Sequence, residues 1–227
     1  SGIWFGLSSA EFILPILIVF LLTIFSWRTI WHFISGIIII ILPLIVFYTV
    51  KNITIESREG ANTKNSNFID IKSWKRSEVL KDFKFYIIAL NMLALPWIAT
   101  GVFIYQSFIA ESKLWDVYVI PKSFMIYSII SILTLIFSGF LVDKFTSRKL
   151  IPFVNLPLLT GLIILYLFDK PFYAYIFFGL MGASNGLANV LGSSLWAEIY
   201  GVRFLGGIRA LTTALMVFST AFGTAFF

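Results

Sequence analysis

IWHFISGIIIIILPLIVFYTV, residues 30–50, contains no Asp, Glu, Lys or Arg from its first residue to its last. A helix that crosses a membrane needs about 20 mainly apolar residues, and this stretch supplies them. A surface helix of a soluble protein would instead alternate apolar and polar residues at helical spacing. The stretch therefore predicts a membrane-spanning helix.

Similar apolar blocks recur on both sides of it. Apolar residues make up 59% of the chain and charged residues 12%, against roughly 45–50% and 25% in soluble domains. We predict an all-α polytopic membrane protein of about seven transmembrane helices. Their expected positions are residues 3–25, 30–50, 85–110, 118–142, 150–168, 172–196 and 207–227.

The composition also limits which kinds of molecule the chain is expected to bind. The formal net charge of +6 does not indicate nucleic-acid binding, because the basic residues lie in short loops between apolar blocks. The sequence has no Cys and a single His, so a thiolate or multi-histidine metal site is not expected. We expect the lipid bilayer as partner, with no nucleic acid, metal or cofactor.

Residues 51–84, KNITIESREGANTKNSNFIDIKSWKRSEVLKDFK, form the only long polar segment. We expect a solvated linker that ends in a surface amphipathic helix near residues 74–85. With alternating helices, thirteen of the 17 basic residues fall on the face that carries this linker. The positive-inside rule predicts that this face is cytoplasmic.

A charged turn follows the segment 118–142. It reads Gly139-Phe-Leu-Val-Asp143-Lys144-Phe-Thr-Ser-Arg148-Lys149. An acid at the carboxyl end of a helix opposes the macrodipole, so we expect Asp143 to find a cation or free amides elsewhere. Gly139 would let a neighbouring helix come close. The basic residues alone are also typical of ordinary topology anchors. The nearest expected partners of Asp143 are Arg203, Arg209 and the amides of Gly206 and Gly207.

This turn resembles a loop motif of the major facilitator superfamily of secondary transporters, a Gly, an Asp four residues on, and then a cluster of Arg and Lys. Thr146 stands where the family usually has a second Gly. The resemblance extends to residues 6–31, to the linker 51–84 and to residues 195–206, and so covers essentially the whole chain. The matching residues of the loop motif are Gly139, Asp143, Lys144, Arg148 and Lys149.

The resemblance implies a twelve-helix fold of two bundles, of which this chain would supply helices five to eleven. Residues 1–50 would be the last two helices of the first bundle and 51–84 the cytoplasmic linker. Residues 85–227 would be five helices of the second bundle. The remaining helices of the same protein would be further partners, and the complete protein would be a monomer in a cell membrane, such as a bacterial inner membrane.

The resemblance also implies alternating-access transport of a small organic solute by uniport, symport or antiport, with protons among the candidate coupling ions. A cytoplasmic gate of ionic contacts would form in one state and break in the other. In addition to the loop motif, we expect its members to be Glu198, Arg203 and Arg209.

Glu11 is the only acid well inside an apolar block. An intramembrane carboxylate is costly unless it is paired, protonated or facing water. Glu11 is therefore a candidate for proton or substrate contact, and a position at the cytoplasmic interface is the alternative.

Other candidates are polar or aromatic residues of the predicted helices. Interhelical hydrogen bonds are the favoured alternative for the amide residues. Asn91 and Gln106, about 22 Å apart along a helix, cannot share one site. Gly182 and Gly186 predict close helix packing. The hydroxyls at 131, 134 and 138 form either a wet stripe with Tyr127 or bonds to their own backbone. The candidates are Asn91, Trp97, Gln106, Tyr127, Asn185 and Asn189.

Two other classes of protein are alternatives to a transporter. A membrane enzyme would need a dense polar constellation, and the sequence has no HExxH, GxSxG or paired acids within a helix. We therefore predict that the chain is not an enzyme. A sensor or assembly protein of transporter-like fold stays open as the alternative, because fold does not fix function. No nucleotide-binding loop is present, which disfavours direct ATP coupling.

Overall fold

The computed structural model describes residues 2–51 and 74–225, which are helical apart from short turns. A 3-10 turn, Ile151–Phe153, lies between the sixth and seventh helices. The helices are α1 Gly2–Leu22, α2 Trp27–Lys51, α3 Arg76–Val79, α4 Phe83–Ser112, α5 Val119–Phe145, α6 Ser147–Leu150, α7 Leu156–Leu167, α8 Pro171–Tyr200 and α9 Leu205–Ala225.

Within the described ranges, six segments are long and apolar enough to cross a membrane. A seventh, shorter apolar stretch is Ser9–Leu22 within α1. The predicted all-α polytopic membrane fold is confirmed. The six segments are Trp27–Tyr48, Phe83–Ser112, Val119–Phe145, Ser147–Leu167, Pro171–Tyr200 and Leu205–Ala225.

The chain divides into two compact units, one of which comprises residues 17–69. This unit contains the end of α1 and all of α2. Ser26 begins α2, because its Oγ accepts a hydrogen bond from the backbone nitrogen of Thr29 at 3.4 Å. Ile30 is buried, whereas the large apolar side chains between Trp31 and Tyr48 are mostly exposed. Such a surface suits contact with lipid.

The other unit comprises residues 1–16 and 70–227. In it α8 packs against both α5 and α7, and α4 packs against α9. A methyl group on Gly186 would lie 2.6 Å from the carbonyl oxygen of Ser131, and one on Gly182 would collide with the carbonyl of Tyr127. The close packing predicted from Gly182 and Gly186 is therefore confirmed, and it brings the backbones of α5 and α8 together.

This unit has two clusters of buried apolar side chains. One surrounds Phe177, Phe178 and Met181. The other joins Phe85 to Trp196 and Tyr200, where α4 begins and α8 ends. We call this part of the unit the basic end, because it carries the loop between α5 and α7 with its cluster of basic residues. It is the end that the charge distribution predicts to be cytoplasmic.

Two predicted boundaries were wrong. The amphipathic helix expected near residues 74–85 is only a single turn, α3, which ends at Val79 because the extended backbone of Asp82 interrupts the helix. Asp82 then begins α4 by accepting a hydrogen bond from the backbone nitrogen of Lys84 at 3.0 Å. The helix expected at 150–168 instead begins at Ser147 and is interrupted before Leu156. Residues 52–73 of the predicted linker lie outside the described residues.

Candidate functional site

The loop motif makes an abrupt turn at Thr146. Helix α5 ends at Phe145, and Thr146 has φ 65° and ψ 148° before α6 begins at Ser147. Glycine adopts this region readily, whereas a β-branched residue held there costs on the order of 1–3 kcal/mol. The glycine that the family usually has at this position would avoid this strain. Neighbouring contacts must therefore hold the turn of this chain.

Glu198, in the last turn of α8, makes the main contact. Its two carboxylate oxygens each accept a hydrogen bond from the backbone nitrogen of Ser147, at 3.1 Å. The Ser147 hydroxyl donates to the carboxylate at 2.7 Å and lies 2.6 Å from the Ser194 hydroxyl. Ser147 is fully buried. A charged acceptor thus satisfies a free N–H at the start of α6, directly after the strained residue.

Arg148 also connects α6 to the end of α8. Its guanidinium donates to the backbone carbonyl of Glu198, one of the carbonyls left free where α8 ends. Gly201, with φ 80°, then turns the chain out of the helix. We call Ser147, Arg148, Ser194 and Glu198 the Glu198 clamp. It fixes the loop after α5 onto the end of α8.

A second set of contacts fixes the beginning of α4 to the end of α8. The Tyr200 hydroxyl donates to Asp82 Oδ2 at 3.0 Å. The backbone nitrogen of Trp74 donates to the carbonyl of Tyr200 at 3.0 Å, and the two rings meet edge to face. The ring of Trp196 stacks against the ring of Tyr200. The basic end is therefore well connected within its own unit.

The remaining charges of the loop motif point away from these contacts. Asp143 is exposed and makes no hydrogen bond or ion pair with any residue that the structure describes. Lys144 lies over the Phe145 ring, and Lys149 is exposed. The expected pairing of Asp143 with Arg203, Arg209 or the amides at 206–207 is not seen in this conformation. Arg203 lies over the ring of Phe204, next to it in the sequence.

Gly139 also differs from expectation. A methyl group placed on it would meet no atom within 4 Å among the described residues. No neighbouring helix therefore approaches α5 closely at this position in the described part of the chain.

The chain matches the family model of the Major Facilitator Superfamily over residues 2–226. It belongs to this superfamily. The match supports a membrane transporter in general terms and confirms the resemblance carried by the loop motif. No curated protein and no solved structure matches the chain significantly.

The superfamily membership directs attention to polar side chains within the spans, and some of these are engaged in packing. Asn185 donates from Nδ2 to the Ser131 hydroxyl at 3.1 Å and so joins α8 to α5. Ser138 donates to the carbonyl of Thr134, within its own helix. Tyr127 is only 5% exposed and packs among Phe103 and Phe124. The hydroxyl stripe of α5 is thus buried against α8 in this conformation.

Other candidates keep free polar atoms. Asn189 and Gln106 are half-buried and make no side-chain hydrogen bond with any described residue. Trp97 is 43% exposed. One carboxylate oxygen of Glu11 is buried and has no hydrogen-bond partner within the described ranges.

Asn91 belongs to a pair of half-buried amide residues that the sequence did not reveal. Its backbone carbonyl accepts a hydrogen bond from Nδ2 of Asn155 at 2.6 Å, which joins α4 to the start of α7. The side-chain oxygens of both residues are buried and have no hydrogen-bond partner among the described residues.

Sequence reasoning also missed Ser147, Ser194 and Asp82, although each is central to the contacts at the basic end. Asp82 carried a detectable signal, because an Asp directly before an apolar run is typical of a helix start. Ser147 and Ser194 carried none, since their importance depends on how α6 and α8 meet in space.

Proposed function

We propose that the whole protein carries a small organic solute across a cell membrane by alternating access, and that the Glu198 clamp shapes its cytoplasmic gate. The observation that carries this proposal is that the polar residues in and around the loop motif fall into two sets, one bound and one exposed. Ser147 and Arg148 are bound to Glu198 within one unit, whereas Asp143, Lys144 and Lys149 remain exposed.

The two sets have different roles in this mechanism. Contacts within one bundle survive when that bundle moves as a rigid body, so the Glu198 clamp keeps the loop in one shape. The exposed charges of Asp143, Lys144 and Lys149 are then available to a surface of the other bundle. Their pairing closes the cytoplasmic side, and its loss opens that side. Arg203 and Arg209 lie at the same end and belong to the gate.

The solute site in this proposal uses side chains that the packing leaves available. Asn189 in α8 and Gln106 in α4 offer hydrogen bonds, and Trp97, also in α4, offers an aromatic surface. Glu11 is the candidate for proton coupling, because its buried oxygen lacks a hydrogen-bond partner among the described residues. Uniport, symport and antiport are all compatible with this arrangement.

The architecture proposed for the whole protein follows the superfamily pattern. Residues 1–50 belong to one bundle, 51–84 link the bundles on the cytoplasmic side, and 85–227 belong to the second. The protein acts as a monomer in a cell membrane, a bacterial inner membrane in the simplest case.

The test uses the whole protein reconstituted in proteoliposomes. Solutes that raise its melting temperature in detergent are first selected, and their uptake is then measured. Asp143→Asn should slow uptake without changing the amount of inserted protein. Glu111→Gln is the matched control, because Glu111 is exposed at the opposite end of α4. Unchanged uptake by Asp143→Asn would contradict the gate. Solute-dependent melting without any uptake would indicate a sensor instead.

A further inference from the structure

A cavity of about 520 Å³ opens at the basic end. Its walls come from the start of α4, the residues after α6 and the end of α8. The volume falls within the range of small-molecule sites. Four isoleucines form much of its apolar wall: Ile87, Ile88, Ile151 and Ile199.

Two cations line the same cavity. Lys84 is exposed, and its side chain makes no hydrogen bond or ion pair with any residue the structure describes. Arg148 uses one nitrogen on the Glu198 carbonyl, and a guanidinium has further donors to offer. Among the described residues of the lining, Asp82 is the only acid, and it already accepts from the Lys84 backbone and the Tyr200 hydroxyl. The cavity therefore suits an anionic group.

The apolar wall continues beyond the cavity. Ile87 is more than half exposed, and Leu90, one turn further along α4, is 68% exposed. Both lie in a segment that is apolar enough to cross the membrane. Trp74 and Tyr200 add amphipathic rings of the kind that are enriched at the membrane interface. An anionic head at the cations could therefore continue as a hydrocarbon chain along α4.

We propose that this cavity binds an anionic phospholipid of the cytoplasmic leaflet. Its phosphate lies between Lys84 and Arg148, and one acyl chain runs along Ile87 towards Leu90. Basic pockets on the cytoplasmic side of membrane helices are typical sites for such headgroups. The lipid joins the start of α4 to the loop held by the Glu198 clamp. Its binding does not depend on the solute or on transport.

The test measures the apparent Kd of the first bound lipid by native mass spectrometry of the purified whole protein. The probes are phosphatidylglycerol, phosphatidylcholine and free glycerol 3-phosphate. We expect phosphatidylglycerol to bind more tightly than the other two. Lys84→Gln should weaken its binding about five-fold, the effect of losing one cation near a lipid phosphate. Because Lys84 has no side-chain partner in the described structure, this variant should fold normally.

Two further variants separate a specific site from general surface charge. Lys149→Gln removes an exposed cation of the same loop that does not line the cavity, and it should change binding less than two-fold, well below the five-fold loss at Lys84. Ile87→Trp should weaken phosphatidylglycerol but not glycerol 3-phosphate. Equal losses in Lys84→Gln and Lys149→Gln would overturn the proposal. Equally tight binding of phosphatidylcholine, or of free glycerol 3-phosphate, would also overturn it.

Discussion

Both carboxylate oxygens of Glu198 lie 3.1 Å from the backbone nitrogen of Ser147. This relationship places a carboxylate acceptor at the buried residue Ser147, directly after Thr146, whose backbone has positive φ. The strain and the clamp are therefore adjacent in the chain, and the second compensates for the first. The position of the loop motif depends on residues that are far apart in the sequence.

Removing the Glu198 carboxylate should destabilise the protein. Glu198→Ala leaves the backbone nitrogen of Ser147 without its acceptor and leaves the Ser147 hydroxyl with Ser194 alone. Hydrogen bonds to charged groups are worth about 1.5–3 kcal/mol. The free energy of unfolding should fall by about that amount in detergent titrations. Glu111→Ala, at an exposed acid without a side-chain partner in the described structure, should change it by less than about 0.5 kcal/mol. Equal effects of the two variants would argue against the clamp.

Thr146→Gly should stabilise the folded protein. Glycine adopts φ 65° without strain, which recovers on the order of 1–3 kcal/mol, although part of this gain is lost to the greater freedom of the unfolded chain. The melting temperature should rise. Thr160→Gly, at an exposed position inside α7, should lower it, because glycine costs about 1 kcal/mol in a helix. A fall in both variants would mean that Thr146 is unstrained.

Gly182→Ala should disrupt the packing of α5 on α8. The added methyl group would collide with the Tyr127 carbonyl, and overpacking of this kind costs about 1–3 kcal/mol. Gly179→Ala is the matched control in the same helix, because its methyl group would lie 3.4 Å from a side-chain carbon of Ile126, an ordinary contact. Similar melting temperatures for the two variants would contradict this packing.

Glu11→Gln should abolish or shift the pH dependence of solute uptake in proteoliposomes of the whole protein. The neutral amide cannot take up and release a proton, whereas it keeps the size and polarity of the acid. Uptake with an unchanged pH profile would exclude Glu11 as the proton carrier.

The sequence predicts the helices better than the contacts between them. The apolar block 30–50 was sufficient to predict α2, because a bilayer demands a continuous run of apolar residues. Pro152 and Pro157 lie where the predicted helix 150–168 is interrupted, and proline lacks the N–H that a continuous helix requires. These two prolines therefore indicate the break in the sequence itself.

The contacts of the candidate site were less predictable. The loop motif drew attention to Asp143, yet the acid that accepts hydrogen bonds from Ser147 is Glu198, which lies on another helix. Local spacing cannot show which acid meets the N–H of Ser147, because that depends on how α8 packs against α5 and α6. Gly182 and Gly186 set this packing, and they predicted close contact without predicting which residues meet.

In the proposed mechanism, the loop after α5 belongs to a cytoplasmic gate that moves during transport. A single cysteine at Phe145, an exposed and uncharged position of this loop, reports on it directly in the whole protein freed of any other cysteine. Its rate of reaction with a membrane-impermeant maleimide should be measured in inside-out vesicles, with and without a solute that the protein takes up. We predict labelling from the cytoplasmic side at a rate that changes with the solute. Labelling only from the face of the membrane opposite the cytoplasm would contradict this mechanism. So would labelling at a rate that is unaffected by a solute that is being transported.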